Sequence, residues 1–124
     1  MISTATALYE FLSGFDIPAY NADTVPDEAV PAYLTYPLTE PEWNSPGTFY
    51  VTVYYRNQTS NRAALEKADE IAQAIGPAGV RIPCTGGYVV LNPQNPLIQA
   101  LPPDNDVRAA YINLQINAYH MPGI

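Results

Sequence analysis

A chain of 124 residues with 48% hydrophobic and 14% charged residues has the composition of a folded protein and the length of one domain, which excludes a disordered tract and a second core. Five Lys and Arg against twelve Asp and Glu give a formal charge of −7, and the five cations, Arg56, Arg62, Lys67, Arg81 and Arg108, are scattered, so a surface that tracks nucleic-acid phosphates is not expected. One Cys and one His leave no internal disulfide and no metal site built from several such ligands.

The first 15 residues lack a cationic stretch followed by a sustained apolar one, and no apolar run approaches the roughly 20 residues of a bilayer span. Neither a signal peptide nor a membrane span is therefore expected. Within residues 4–15, Ala5, Leu8, Phe11, Leu12 and Phe15 follow the three-and-four spacing of an amphipathic helix, capped by Ser3 or Thr4. Gly14 and then Asp16-Ile17-Pro18 end it, because the residue before a proline is pushed out of the helical region. Residues 20–31 are polar and punctuated by proline and read as a connecting loop. Ala32, Leu34, Tyr36 and Leu38 alternate as in a half-buried strand, with Pro31 and Pro37 pointing to an edge or a bulge.

Residues 40–47 have turn composition. Residues 48–56 form the clearest strand, since nearly every side chain is β-branched or aromatic. Phe49, Val51, Val53 and Tyr55 lie on one face, and Tyr50, Thr52 and Tyr54 on the other. A strand apolar on both faces predicts that the second face is covered, by the domain's own second layer or by a neighbouring subunit. After a polar turn at 57–61, residues 62–75 predict the best helix, with Ala64, Leu65, Ala68, Ile71, Ala72 and Ile75 on one stripe and Glu66, Lys67, Asp69 and Glu70 on the solvated side. Gly76-Pro77 stops it.

Residues 80–84 and 88–91 flank Thr85-Gly86-Gly87 as a β-hairpin. Residues 92–106, with Pro93, Pro96, Pro102 and Pro103, read as a long loop with an apolar interior at 96–101. Residues 107–120 alternate, with Ala110, Ile112, Leu114, Ile116 and Ala118 on the apolar face and Asn113, Gln115 and Asn117 on the polar one. The order helix, strand, strand, helix and three strands predicts a single α+β domain over 1–124. Its antiparallel or mixed sheet has four or five strands, with two main helices packed on one face.

Catalytic chemistry finds little support. Cys84 and His120 could form a thiolate–imidazole pair only if brought within hydrogen-bond reach, and they read more simply as a core or hairpin residue and a strand-end residue. Glu40/Glu42 and Asp104/Asp106 sit in proline-rich loops as solvated acids, and the glycine clusters lack the lysine of a phosphate loop. Asn57 opens a glycosylation sequon that matters only in a secretory lumen. The expectation is a protein without catalytic residues, cofactor or metal, and not an enzyme. Ten tyrosines against three phenylalanines point to protein partners, because tyrosine buries a large rigid area while keeping a polar handle.

The second half of the chain carries a resemblance. Val53-Tyr54-Tyr55, the helix ending Ala74-Ile75-Gly76, Gly86-Gly87-Tyr88-Val89-Val90, Asn95-Pro96-Leu97-Ile98-Gln99, and Asp104-Asn105-Asp106 leading into Arg108-Ala109-Ala110-Tyr111-Ile112-Asn113-Leu114 resemble the small minor capsid proteins of tailed bacteriophages. In order of elements they also resemble the tail-terminator proteins. The match runs from about Thr48 to Tyr119. It implies a tail-terminator-like subunit that forms a six-fold homo-oligomeric ring at the neck or tail end of the virion, made in the host bacterial cytoplasm. Its partners would be further copies of itself, the tail tube protein and head–tail connector proteins, with DNA passing through but not bound and no membrane contact. The interface candidates are Tyr50 and Tyr54 on the aromatic strand, and Asn95, Pro96, Leu97, Ile98 and Leu101 in the proline-stiffened segment. The alternative is a small cytosolic protein- or ligand-binding module with a tyrosine-rich face.

Overall fold

The computed structural model describes residues 3–37, 43–56 and 59–121. Helix α1 (Thr4–Leu12) starts where Ser3 Oγ accepts the Thr6 N–H at 3.2 Å, and it buries Ala7, Leu8 and Leu12. It is shorter than the periodicity predicts, since Asp16 takes a left-handed conformation at φ 64° and turns the chain away. Strand β1 (Ala19–Asn21) follows and pairs in parallel with β2 (Tyr33–Tyr36). The reading of 20–31 as loop is thus corrected: three residues are too short to show alternation, and the pairing comes from a partner distant in sequence. β2 lies between β1 and β3 (Pro46–Arg56), so its flanking prolines mark its ends and not a sheet edge. Leu38, Glu40, Glu42 and Asn57 lie outside the described residues.

Helix α2 (Arg62–Ile75) has the predicted bounds and buries Ala64, Ala68, Ile71 and Ile75. Two of its side chains depart from the predicted faces. Leu65 is 37% exposed, whereas Lys67 folds back so that its Nζ donates to the Phe15 carbonyl at 2.9 Å and to Glu70 at 2.9 Å. Strand β4 (Val80–Cys84) turns through Thr85-Gly86 into β5 (Gly87–Ala100), and β6 (Val107–His120) closes the order.

The six strands form one mixed sheet in the order β1-β2-β3-β6-β5-β4, antiparallel except for β1 with β2. β1 accounts for the sixth strand where four or five were expected. Alternation along β3, β5 and β6 sends Phe49, Val51, Val53, Val89, Leu91, Ile112, Leu114 and Ile116 into a core shared with both helices. α2 packs on β3, β5 and β6, and α1 touches both β1 and β4, the strands at opposite edges. The sheet therefore curls, and α1 bridges its two edges.

The largest correction concerns 92–106. β5 continues to Ala100 along β6, and the register jumps from Pro93↔Leu114 to Ile98↔Ile112, leaving Gln94, Asn95, Pro96 and Leu97 opposite Asn113 alone. This is a special bulge of four residues against one, held by Asn113 Nδ2 donating to the Pro96 carbonyl at 2.6 Å. β4 pairs with β5 only as far as Leu91, so Pro93 and Pro96 occupy a stretch without β4 beside it, where a missing N–H is tolerated. The true connection is 101–106, where Leu101 N–H donates to Ala109 at 2.9 Å and Asp104 bridges Val107.

Candidate functional site

Because the helices take one face of the sheet, the opposite positions of every strand form its other surface. Tyrosines pave it in pairs set by register. Tyr33 is 5.4 Å from Tyr20 and 5.3 Å from Tyr54, Tyr50 meets Tyr111 edge-on at 5.9 Å, and Tyr88 stacks on Tyr119 at 5.2 Å. Arg81 lies over the Tyr88 ring, 4.2 Å from its centre, a cation–π contact at the β4 border. Packing among these rings raises the Tyr33 hydroxyl above its ordinary value, through burial first and then the neighbouring Tyr54 and Tyr20. Tyr36 and Tyr55 lie on the core side instead: Tyr36 points inward against Phe49, and burial raises its hydroxyl as well.

The expectation that the domain's own second layer covers this face is not met, for the helices are on the other side. Tyr50 is 50% exposed, and Tyr54 is half-buried against Tyr33.

Between the start of β3 and the bulge of β5 the face dips into a groove of about 550 Å³. Its floor is Tyr111, Asn113 and Gln115 of β6, with Thr48 and Tyr50 on one side and Gln94, Asn95, Pro96 and Gln99 on the other. Internal hydrogen bonds fix this lining: Tyr111 Oη donates to Gln99 Oε1, Asn113 Nδ2 also reaches Gln99 Oε1 at 3.3 Å, and Gln94 Nε2 donates to Gln115 Oε1 at 3.4 Å. Among the described residues, no charged side chain lines the groove. Its chemistry is that of neutral hydrogen-bonding groups beside aromatic rings, suited to holding another polypeptide surface without the cost of desolvating ions.

The structure thus brings together Tyr50, Asn95 and Pro96 around one groove, with Tyr54 on the same face. It separates Leu97 and Ile98, which are half-buried and pack against the subunit's core; Ile98 lies opposite the buried Ile112. Leu101 stands beyond the strand, half-buried. Sequence reasoning missed Thr48, Gln94, Gln99, Tyr111 and Gln115 as groove residues, although the polar alternation of Asn113, Gln115 and Asn117 already marked one strand face.

A second depression, also about 550 Å³ and mostly apolar, lies between α1 and β4, lined by Ala7, Phe11, Val80, Ile82, Pro83 and Cys84, with Glu10 and Arg81. Cys84 is buried and its Sγ accepts the Thr4 hydroxyl at 3.7 Å, whereas His120 is exposed beside the Trp43 ring, centroids 5.4 Å apart. Asp104 and Asp106 are exposed. Among the described residues no cluster of three or more His, Cys, Asp or Glu could hold a metal ion, and no helix is long and apolar enough to cross a membrane.

No family model and no curated protein matches this chain. A solved structure of a protein whose name states no activity is similar at TM-score 0.64, with 17% sequence identity over 97% of this chain and 93% of that one. At that identity the likeness establishes the fold alone: an α+β protein with two helices and a curled, mixed six-stranded sheet.

Proposed function

We propose that this chain is a structural protein of a tailed-bacteriophage virion, a tail-terminator-like single domain that forms a homo-oligomeric ring at the neck or tail terminus. In that role it joins or caps the tail tube, meets tube and connector proteins, and has no catalytic step. The observation that carries the reading is the sheet face left bare by the helices, paved with tyrosine and amide groups around a groove whose described lining is neutral. A contiguous aromatic surface of this kind on a small protein is characteristic of an interface. The ordered resemblance of residues 48–119 to phage minor capsid and tail-terminator proteins supplies the assembly, and the charge of −7 suits a ring that lets DNA pass without holding it.

Sedimentation velocity of the purified protein, alone and mixed with the tail tube protein of the same virion, tests this. Ring-sized particles, or capping of tubes, are expected. A protein that stays monomeric in both mixtures and is missing from purified virions rules the reading out. The groove favours a second reading, a small binding module, which predicts a monomer that captures one peptide or small ligand through Tyr50 and Tyr111.

A further inference from the structure

The groove has hydrogen-bond donors to spare. Gln99 and Gln115 receive their bonds at Oε1, so among the described residues the Nε2 of each has no acceptor, and the Tyr50 hydroxyl and the Asn95 amide are likewise unbonded. Tyr50 is 50% exposed, so ring surface stands open beside these donors. The connection 101–106 carries the opposite set. Pro102 and Pro103 are the one pair of adjacent prolines in the chain, and both are exposed. Neither has an N–H, so the pair presents apolar rings and carbonyl acceptors without donors. Among the described residues nothing donates to those two carbonyls. The connection is also held in shape beforehand: Asp104 and Val107 exchange N–H···O bonds at 3.2 and 2.9 Å, and Arg108 Nη1 donates to the Asn105 carbonyl at 2.8 Å.

We infer that the Pro102–Pro103 tip of one copy docks in the tyrosine and amide groove of the next copy, an inference that rests on the ring reading and names the surfaces that meet. Proline-rich segments suit aromatic-lined grooves because their backbone is already fixed and loses little freedom on docking. Here the spare amide and hydroxyl donors answer carbonyls that can only accept. The acids that follow the prolines, Asp104 and Asp106, meet no carboxylate in the described lining, which matters between copies that each carry −7. A copy cannot fill its own groove, since Asn113 on the groove floor and Val107 beside the tip lie on one extended strand, about 20 Å apart. The contact therefore joins two different patches, the heterologous kind that closes into a ring when its rotation allows.

Two variants of the full-length chain test this, each blocked on one side of the contact. Both are read by sedimentation velocity under the condition in which wild type assembles, alone or with tail tube protein. Tyr50→Ala removes the groove ring, and Pro102→Ser with Pro103→Ser removes the tip. Each keeps its fold by melting curve and self-associates about tenfold more weakly or worse. Mixed one to one they pair, because the tip of the first still fits the groove of the second. Assembly then stops at the dimer, because the reverse contact is broken on both sides. Should Tyr50→Ala melt early, Asn95→Arg on the exposed rim blocks the groove in its place. If wild type forms rings and either variant forms them equally well, this contact is wrong and the ring reading stands. The contact is equally wrong if the folded variants fail to pair, if their mixture regains full rings, or if the groove variant loses only the tail tube protein, which is then the groove's occupant. If wild type stays monomeric both alone and with tail tube protein, the contact and the ring reading fall together.

Discussion

Gly87 shows how one atom can depend on a strand that is remote in sequence. The run Thr85-Gly86-Gly87 reads as turn chemistry, and Gly86, at φ 85°, fits that reading. Gly87 is needed for a different reason: a Cβ there would overlap the Tyr119 carbonyl oxygen of β6, a backbone atom that cannot swing aside. Gly87→Ala is accordingly expected to destabilise the protein by about 3 kcal/mol or more, measured by chemical denaturation, whereas a change at the exposed Thr85 should leave the midpoint nearly unmoved. Lys67 is a second residue whose role its periodicity hides. Its side chain is only 13% exposed, and the hydrogen bond to the Glu70 carboxylate raises the ammonium above the usual 10.5, partly opposed by burial. Since the folded state favours the charged form, the stabilisation is complete below 10.5 and disappears as pH rises through the higher folded value. Lys67→Met should therefore cost about 1 kcal/mol near neutrality, and its melting temperature should converge on that of wild type at strongly alkaline pH. A gap that persists there would assign the effect to packing alone.

At the scale of elements, legibility follows how local the determining forces are. α2 carries its own stripe and its own stop in Gly76, and β6 its own alternation; both have the bounds expected from sequence. β1 and the second half of β5 depend on neighbours far along the chain, and for β5 the prolines point the wrong way. Pro93 and Pro96 resemble loop punctuation because a proline in a paired strand is normally excluded. Here β4 stops at Leu91 and the bulge absorbs four residues, so the strand passes through both. This changes what Leu97 and Ile98 do. Their place in an apolar, proline-stiffened segment predicts docking on a partner, but they pack against the subunit's own core. Replacing both by Ser should thus lower stability by about 2–4 kcal/mol, visible as a depressed melting temperature of the isolated protein. Asn95→Ala, on the exposed rim of the groove, should leave the melting temperature within error. The groove itself is half legible: Tyr50 and the Asn113–Gln115 alternation announce a polar, aromatic face, but which strands lie beside it is topology, and no local pattern encodes it.

The whole molecule is a curled sheet whose two ends meet the same helix. Leu8 and Leu12 are completely or almost completely buried, and α1 packs against β4 at one edge and β1 at the other. Neither edge is strong on its own. β1 has three residues, and β4 has five and includes Pro83, which lacks the N–H that strand pairing uses. By contrast β3 and β6 are paired over eleven positions. Stability should be graded accordingly, highest along β3 and β6 and lowest at the two ends. Leu12→Ala removes buried methyl groups from the brace and should cost about 3 kcal/mol overall. The informative readout is where that cost falls. If α1 acts as a brace between the edges, native-state hydrogen exchange of the variant should quicken at Leu34 and its β1 neighbours and at Ile82 and its β4 neighbours together, although these segments lie at opposite ends of the strand order. Amides at Val51 and Ile112 should keep exchange rates set by global unfolding. Faster exchange at one edge only would show that α1 belongs to that edge, and that the curl of the sheet is held by the twist of its strands and by α2 instead.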